Sequence, residues 1–351
     1  MSSRVVCSRT PVRIDFAGGW TDVPLFTTLI SGIVVNTAIS LYTYTTIESI
    51  KKVPSYGFSA KERMHAGTIK MYSVDLEVYE EAASISDIEY NGTMDLVKAA
   101  CKRQDIAGIE ITTQSDAPPG SGLGTSASLG VAVLGALSAY NNHMETRERY
   151  ADLAFKLETE ELKLLSGTQD QYAAALGGFN CFRCSGSNVS YPDNLNIVDP
   201  MFYELEKRLV LVYTGKPRLS SSIHTNVVES FNKGENHEAL RNLVASGELA
   251  REALLTRNIN KLADAMNMSW ENQKLLHESV TNEQIEDLFD IAKQNGMIAG
   301  KACGAGGGGC LLFLAERGKE HSLKKVMESR DVKVLPFKFD FSGLQVWKLF
   351  E

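Results

Sequence analysis

Three glycines alternate with other residues in the segment that starts at Pro118, and hydroxyl-bearing residues follow them directly. Gly120, Gly122 and Gly124 lack the Cβ atoms that would keep backbone N–H groups from converging on an oxyanion. A helix that begins just after them would add unpaired N–H donors and the positive end of its dipole, so the segment suits a phosphate. No lysine follows the last glycine, so the spacing is not that of a P-loop. The alternative interpretation is a tight turn that leads into a closely packed helix.

A second glycine-rich segment runs from Gly304 to Gly309 and has five glycines in six positions. Its glycines fit the Gly-x-Gly-x-x-Gly spacing of a dinucleotide site, but a strand-like run at 311–314 follows where that site needs a helix. A dinucleotide-dependent oxidoreductase is therefore disfavoured. So many glycines are costly in chain entropy for a plain loop. We expect the backbone here to approach either a ligand or the first glycine segment closely.

Two carboxylates suited to phosphoryl transfer, Glu158 and Asp170, lie on either side of a predicted helix end. That reaction needs a hard oxygen ligand for Mg²⁺ and a group that orients or deprotonates the attacking hydroxyl. Two separated carboxylates could supply both. Glu160 is the alternative to Glu158 as the metal ligand, and a solvated helix face would also account for these glutamates.

The segment near the N-terminus alternates charged and apolar residues along a short predicted strand. Arg13 and Asp15 occupy alternate positions of that strand, which ends in a Gly-Gly turn carrying Trp20 and Asp22. Binding residues are often found on loops that a rigid element positions, so we predict that Asp22 faces a ligand. A surface charge is the alternative interpretation of Arg13.

The elements that must hold these residues follow from the pattern of apolar positions. β-Branched and aromatic runs predict strands at 33–39, 41–47, 109–113, 208–213, 310–314, 332–335 and 344–349. Helical periodicity predicts helices at 95–103, from the first glycine segment to residue 140, at 147–165 and over most of 238–295. Strands that come first and then mix with helices favour an α+β fold over regular βαβ alternation. The composition changes after Gly178, which predicts two domains, 1–180 and 181–351.

Bulk properties exclude several classes of function. The 351 residues are 44% hydrophobic and 23% charged, as in ordinary globular chains, and the net charge of −7 argues against a nucleic-acid partner. The longest apolar run, 129–137, is shorter than the roughly 20 residues of a membrane span. The N-terminus lacks a signal core, so we predict a cytoplasmic protein with no membrane partner. Cys181 and Cys184 form a lone Cys-x-x-Cys, for which reduced thiols are favoured over redox or metal chemistry.

Taken in order, these segments resemble the GHMP kinase superfamily, which includes galactokinase, homoserine kinase, mevalonate kinase and phosphomevalonate kinase. The superfamily motif Pro-x-x-x-Gly-Leu-Gly-Ser-Ser-Ala is similar to residues 118–127, with Thr125 in place of the first serine. The glycine-rich third motif is similar to 304–309. The similarity extends from Pro11 to Phe313. It implies a two-domain GHMP kinase fold of the α+β class, with an N-terminal ribosomal-S5-like α/β domain and a C-terminal ferredoxin-like α+β domain.

The resemblance also implies roles for the matched positions. Asp170 would be the catalytic aspartate that orients or deprotonates the substrate hydroxyl, and Arg13 would stabilise the transferred phosphoryl group. Mg²⁺ would be the cofactor of ATP, held by Ser126 and Glu158. The implied ATP-binding positions are Pro118, Gly120, Ser121, Gly122, Leu123, Gly124, Thr125 and Ser126. The implied substrate-binding positions are Asp22, Trp20, Gly19, Gly306, Gly307 and Arg218.

The expected substrate follows from departures from the galactokinase pattern. The galactokinase signature Gly-Glu-His-Thr-Asp-Tyr is replaced by Gly-Gly-Trp-Thr-Asp-Val at 18–23, which argues against galactose. Residues 13–22 are similar to L-fucose kinases and to D-glycero-D-manno-heptose 7-phosphate kinases, and 169–180 most resemble the heptose kinases. This implies ATP-dependent phosphorylation of the anomeric C1 hydroxyl of the heptose phosphate, on the way to a nucleotide-activated sugar. Lys216, Arg218 and His224 would bind the phosphate that the substrate already carries, with a solvated loop as the alternative.

Two other functions stay open from the sequence: an L-fucose kinase of the same superfamily, and a regulator that binds nucleotide or sugar without catalysis. The presence of Asp170 together with Arg13 and Ser126 favours the enzyme. The expected partners are ATP and a phosphorylated sugar, and a homodimer is left open.

Overall fold

The computed structural model describes residues 4–350 except 51–66, 186–187, 190–191, 196, 198 and 216–219. The strands are β1 Arg4–Ala17, β2 Gly32–Ser49, β3 Ile69–Ser73, β4 Val78–Ala82, β5 Ile109–Ser115, β6 Phe179–Ser185, β7 Asn188–Val189, β8 Asp193–Asn194, β9 Leu209–Tyr213, β10 Met297–Ala302, β11 Cys310–Ala315, β12 Lys333–Leu335 and β13 Gln345–Phe350. The α-helices are α1 Pro24–Thr27, α2 Asp95–Gln104, α3 Thr125–Tyr140, α4 Arg147–Lys156, α5 Gln169–Leu176, α6 Asp199–Arg208, α7 Ser220–Asn232, α8 His237–Leu255, α9 Ile259–Lys274, α10 Glu283–Gln294 and α11 Glu320–Glu328. Short 3₁₀ turns at Ile85–Asp87 and Glu278–Val280 and a π-helical turn at Leu157–Glu161 join them.

The first sheet is built around two long antiparallel strands, β1 and β2. The strand order is β13-β1-β2-β5-β3-β4. Strand β2 is long enough to serve two more neighbours, because its first residues pair with β6 and its last residues pair with β5. Helices α2 to α5 pack on this sheet through a shared apolar core. The helices that carry the predicted site residues are thereby fixed to the strands that carry the others.

Alternation along β1 decides which of its residues reach the site. Val12, Ile14 and Phe16 are buried in a second apolar core. Arg13 and Asp15 project from the opposite face, because successive side chains of a strand point to opposite sides. The second core also contains residues of α8 and α9 and of the second sheet, whose order is β10-β11-β9-β12. One apolar core therefore joins the two sheets, and its burial stabilises their relative placement.

The α+β class predicted from the sequence is confirmed, and most predicted elements are found within a few residues of their expected bounds. Two expectations were wrong in detail. The strands predicted at 33–39 and 41–47 are one strand, β2, because Ser40 in their middle exchanges hydrogen bonds with Lys338 instead of turning the chain. The helix predicted over 147–165 ends at Lys156 and continues only as the π-helical turn.

The predicted domain boundary at residue 180 falls inside a strand of the first sheet. Strand β6 crosses that position, and β13, near the end of the chain, pairs with β1 in the same sheet. The division into 1–180 and 181–351 stays a prediction. In the described part of the chain no helix is both long and apolar enough to cross a membrane.

All six cysteines are buried, and none forms a disulfide. Cys181 and Cys184 are three residues apart on β6 and so project from opposite faces of the sheet. Burial raises the pKa of Cys181 to about 11 and that of Cys184 to about 12. Both side chains are therefore neutral thiols at physiological pH, the form that is least reactive toward oxidants and metals.

Candidate active site

A cleft of about 860 Å³ opens where β1, the start of α3, the segment before α5, helix α7 and the second glycine segment meet. Its volume lies in the range of small-molecule sites. Most of the residues predicted to do chemistry line it, although they are far apart in the sequence. Among the lining residues are Arg13, Gly19, Trp20, Asp22, Gly120, Ser121, Gly122, Gly124, Thr125, Ser126, Glu158 and Asp170.

The first glycine segment leads directly into helix α3. Gly124 precedes the helix with φ of +76°, a left-handed conformation that glycine adopts without strain. No side chain caps the helix and no acidic residue occupies its first turn. The N–H groups of that turn are therefore available at the positive end of the helix dipole, an arrangement that binds anions. A Cβ atom at Gly124 would lie 3.0 Å from the carboxylate of Asp170, so the loop and the predicted catalytic aspartate are in contact.

Two of the predicted ATP-binding residues do not present their side chains to the cleft. Pro118 is outside the cleft lining, and its carbonyl accepts the N–H of Ser121 at 3.1 Å in the turn that opens the loop. The side chain of Leu123 is buried in the core, so only its backbone can contribute. The remaining six positions line the cleft.

Arg13 and Asp170 form a two-pronged ion pair on the cleft wall. The guanidinium Nε donates to Asp170 Oδ1 at 2.6 Å and Nη2 donates to Oδ2 at 2.9 Å. Arg13 also donates from Nη1 to the carbonyl of Gly122 at 2.8 Å, and its backbone N–H donates to the carbonyl of Leu123 at 3.0 Å. Burial by itself would lower the pKa of Arg13, but the charges of Asp170 and Asp15 outweigh it and raise the pKa above its ordinary value. Arg13 is thus a permanent positive charge that holds both the glycine loop and the aspartate.

Glu158 is buried on the π-helical turn, beside the start of α3. Its Oε1 accepts a hydrogen bond from Ser126 Oγ at 2.7 Å, and its Oε2 accepts from Ser166 Oγ and from Gln171 Nε2, each at 2.7 Å. Burial raises the pKa of this carboxyl, although the three hydrogen bonds oppose that effect. Glu160, the alternative metal ligand, is exposed to solvent. The structure therefore brings together Ser126 and Glu158, a hydroxyl and a carboxylate of the kind that binds hard cations.

Asp22 and Trp20 form another part of the cleft wall. Asp22 Oδ2 accepts the backbone N–H of Gln169 at 3.0 Å, and burial raises the pKa of Asp22 to about 6. The Trp20 ring meets the His224 ring edge to face, with centroids 5.0 Å apart. Gly19 lies against Asp15, because a Cβ atom there would be 2.9 Å from Asp15 Oδ2. This wall offers one carboxylate and an aromatic surface to a ligand.

The second glycine segment contacts the first glycine segment. A Cβ atom at Gly309 would lie 2.6 Å from the Ser121 carbonyl oxygen, so close approach requires glycine there. Gly304 and Ala305 line the cleft. The predicted substrate ligands Gly306 and Gly307 do not: a side chain on either would collide with the 3₁₀ turn Glu278–Val280. The remaining predicted ligand, Arg218, lies outside the described residues, as does Lys216.

Several residues of the cleft were not predicted from the sequence. Ser166 and Gln171 hold Glu158, and Gln169 holds Asp22. Their position in the sequence could have indicated them, because all three lie within four residues of Asp170. Asp15 was noted only as an alternating charge on β1, and Lys301 was not singled out, yet the two form a buried ion pair next to Arg13. No local pattern could join them, because 286 positions separate them.

The fold and the cleft match what a phosphotransferase needs, because they combine a helix start with available N–H donors, a hydroxyl beside a buried carboxylate and an arginine–aspartate pair. The sequence profile of the GHMP kinases N terminal domain matches residues 91–178, and that of the GHMP kinases C terminal region matches 250–330. The chain belongs to the GHMP kinase family. It is an ATP-dependent kinase that transfers phosphate to a hydroxyl group, and kinases of this family typically use ATP with a divalent metal ion.

Similarity to particular proteins extends over the whole chain. The chain is 30% identical over 352 aligned residues to the D-glycero-alpha-D-manno-heptose 7-phosphate kinase of Campylobacter jejuni. The alignment covers 99% of this chain and 100% of that protein. It is 31% identical to the bifunctional fucokinase/GDP-fucose pyrophosphorylase of Arabidopsis thaliana, covering 92% of this chain but 31% of that longer protein. The crystal structure of a D-glycero-D-manno-heptose 1-phosphate kinase from Bacteroides thetaiotaomicron superposes with a TM-score of 0.77 at 28% identity, covering 99% of this chain and 100% of that one.

Proposed function

We propose that this kinase transfers the γ-phosphoryl group of ATP to the anomeric C1 hydroxyl of D-glycero-D-manno-heptose 7-phosphate and forms the 1,7-bisphosphate. The observation that carries the choice of substrate is the end-to-end similarity to the heptose 7-phosphate kinase of Campylobacter jejuni. The similarity includes every segment that lines the cleft, since it covers both chains almost completely. The two glycine segments and the charged pairs between them support the phosphoryl transfer itself.

The Arg13–Asp170 pair is the reacting centre in this proposal. About a quarter of the Asp170 side chain is exposed to the cleft, so its carboxylate can take the proton of the sugar hydroxyl or hold that proton while the oxygen attacks. The bond from the γ-phosphorus to the bridging oxygen of ADP breaks as the new O–P bond forms. Negative charge then spreads over the transferred group, and the permanently charged Arg13 stabilises it. The first turn of α3 holds the phosphates of ATP by backbone N–H donors.

The metal ion that we propose is Mg²⁺, with Ser126 and Glu158 as the residues that would hold it. Hydroxyl and carboxylate oxygens are hard ligands, and Mg²⁺ typically takes one or two protein carboxylates together with substrate phosphates and water. Burial raises the pKa of Glu158, and none of the causes of that shift is a lysine or arginine. A cation would therefore compensate a buried carboxylate that has no lysine or arginine partner in the described part of the chain. Such an ion would supply positive charge beside the ATP phosphates.

The wall formed by Trp20 and Asp22 is the proposed sugar site. Sugars present alternating hydroxyl groups and apolar C–H faces, which a carboxylate and an aromatic ring can bind respectively. Asp22 is held by Gln169, directly before the proposed catalytic aspartate, so the hydroxyls it binds would be fixed relative to Asp170. Arg218 is proposed to bind the phosphate that the substrate already carries. Gly304 and Ala305, rather than Gly306 and Gly307, are the positions of the second glycine segment that line this site.

L-Fucose is the second candidate substrate. The similarity to the Arabidopsis thaliana bifunctional enzyme is 31%, and the L-fucokinase/L-fucose-1-P guanylyltransferase of Bacteroides fragilis is 28% identical over 90% of this chain. The chain spans only about a third of the length of either protein. Both substrates would use the same reacting centre and would differ in whether a second phosphate must be bound.

A substrate panel tests the proposal. ADP release with Mg-ATP is measured on D-glycero-D-manno-heptose 7-phosphate, mannose 6-phosphate, L-fucose, D-galactose and mevalonate, and phosphorus NMR gives the position of the new phosphate. We expect turnover on the heptose phosphate with a new phosphate at C1. Turnover on L-fucose alone would replace the substrate and keep the reacting centre. ATP binding without turnover on any of these compounds would contradict the proposal.

A further inference from the structure

The most deeply buried ion pair in the described part of the chain joins Lys301 of β10 to Asp15 of β1. Lys301 is 0% exposed and Asp15 is 1% exposed. Lys301 Nζ donates to Asp15 Oδ2 and, at 3.0 Å, to the carbonyl oxygen of Ala302. Every other described ion pair has at least one side chain that is more than a tenth exposed. Asp15 borders the cleft despite its burial, whereas Lys301 does not line it.

The pair lies next to the reacting centre. Asp15 and Arg13 are two residues apart on β1 and project from the same face, away from the apolar core. Lys301 is near the end of β10, just before the second glycine segment. Gly19 packs on Asp15 Oδ2. Burial alone would raise the pKa of Asp15, but the charges of Lys301 and Arg13 outweigh it and lower the pKa, with a smaller contribution from the backbone N–H of Gly304. The pair therefore lies between the Gly-Gly turn that contains Gly19 and the second glycine segment.

Stability alone is a poor reason to keep such a pair. Desolvating two charges is costly, and replacing a buried ion pair by apolar residues is often neutral or stabilising. The arrangement has a clearer electrostatic consequence. Both Asp170 and Asp15 attract Arg13 and raise its pKa, so two carboxylates compete for one guanidinium. Asp15 Oδ1 has no hydrogen-bond partner among the described residues, whereas both oxygens of Asp170 are bound to Arg13.

We propose that Lys301 is a positioning residue that neutralises Asp15, so that Arg13 stays on Asp170 and beside the transferred phosphoryl group. The inference rests on the proposed roles of Arg13 and Asp170. Without Lys301, the unpaired carboxylate of Asp15 would draw the guanidinium away from Asp170 and from the glycine loop. Removing the Asp15 charge as well would remove that competition. If the pair only held β1 and β10 together, a double variant would behave differently. Substituting Asp15 as well could not restore a lost contact between the two strands.

The test compares Lys301→Met with the double variant Asp15→Asn/Lys301→Met. We expect Lys301→Met to lower kcat by about tenfold or more while the KM for ATP changes by less than about threefold, and the double variant to recover most of the lost kcat. Rates are expressed per site that binds a fluorescent ATP analogue, so that unfolded protein is not counted. Lys301→Gln replaces the methionine variant where that variant does not fold. Lys98→Met is the matched control, because Lys98 of α2 is also buried and forms an ion pair, with Glu80 of β4 at 3.1 Å.

Two results would overturn the inference. A double variant as slow as Lys301→Met would mean that the pair acts as a brace, and a normal kcat in Lys301→Met would mean that it does not position Arg13. Arg13→Met separates this failure from failure of the proposed function. If Arg13→Met is inactive while Lys301→Met is active, only the role of Lys301 is lost. If Arg13→Met keeps its activity, the reacting centre itself is misassigned.

Discussion

Asp170 is the residue whose chemistry the cleft constrains most tightly. Both of its oxygens accept hydrogen bonds from Arg13, so it is held beside a fixed positive charge, and it contacts the glycine loop at Gly124. A carboxylate held in this way is oriented by its partner and still open to the cleft through a quarter of its surface. The residue is therefore suited to hold a hydroxyl proton without being free to rotate away from it.

We expect Asp170→Asn to lower kcat by about 10²- to 10⁴-fold, because the amide cannot accept the proton and cannot bind both guanidinium donors. The dissociation constant of a fluorescent ATP analogue should change by less than about threefold, since the helix start proposed to hold the phosphates is untouched. Asp290→Asn, at an exposed surface pair with Lys293, is the matched control. A variant with near-normal kcat would remove Asp170 from the mechanism.

Asp22 predicts a pH dependence of sugar binding. Burial raises its pKa from 3.8 to about 6, so the carboxylate becomes protonated as the pH falls through 6. Because the ionised form accepts hydrogen bonds from sugar hydroxyls more strongly, the KM for the sugar should rise below pH 6. Steady-state assays from pH 5 to pH 8 measure this. The Asp22→Asn variant should have a high KM at every pH. Its KM should no longer change through titration of residue 22, so the pH dependence that remains belongs to the phosphate of the substrate.

The raised pKa of Asp22 also makes the free energy of unfolding depend on pH. A carboxyl whose pKa is raised by folding favours the folded state when it is protonated, and this contribution is lost as the pH rises from about 4 through 6. We compare the free energy of unfolding of Asp22→Asn with that of the wild type. Between pH 4 and pH 7 this difference should shift in favour of the variant, which lacks the carboxyl group. Urea unfolding at the two pH values checks it. If the free energy of unfolding changed equally between the two pH values in both proteins, the raised pKa of Asp22 would be contradicted.

At the scale of elements, the start of α3 depends on the backbone conformation of one glycine. Gly124 has φ of +76° and touches Asp170. We expect Gly124→Ala to raise the KM for ATP and to lower kcat by about tenfold or more, because the methyl group strains the backbone and displaces the Asp170 carboxylate. Gly92→Ala is the control: Gly92 has φ of +88° and a Cβ atom there would have no neighbour within 4 Å, so it imposes the backbone strain alone. Equal kinetic effects in both variants would show that contact with Asp170 is unimportant.

The same helix shows what local sequence can predict. Alternating glycines followed by a run of small and apolar residues predicted both the loop and the start of α3. The π-helical turn at Leu157–Glu161 could not be predicted, because the apolar residues there still follow a helical period and no residue type specifies the wider turn. That turn places Glu158 in the interior next to Ser126 while Glu160 stays exposed. The choice between the two glutamates as metal ligand was open from the sequence, and the burial of Glu158 against Ser126 supports the proposal that it is Glu158.

At the scale of the whole molecule, the cleft exists because distant parts of the chain pack together. The sequence predicted that the second glycine segment would approach a ligand or the first glycine segment, and Gly309 does meet the carbonyls of Gly120 and Ser121. It could not predict that β13 returns to the first sheet, because pairing between strands more than 300 residues apart leaves no local pattern. The N–H of Cys310 donates to the Ser121 carbonyl at 2.7 Å, so the second sheet directly positions the first glycine segment, which we propose holds the phosphates of ATP.

This contact predicts that a change in the second glycine segment will weaken binding of ATP at the first. A Cβ atom at Gly309 would lie 2.6 Å from the Ser121 carbonyl oxygen and 2.8 Å from that of Gly120, so Gly309→Ala must push the two loops apart. We expect the KM for ATP to rise by about tenfold and the unfolding temperature to fall, because the loops separate and the backbone at φ of +73° is strained. Gly318→Ala, with φ of +84° and open space around it, is the matched control and should lower only the unfolding temperature. An unchanged KM for ATP in Gly309→Ala would mean that the phosphate loop keeps its shape without support from the second sheet.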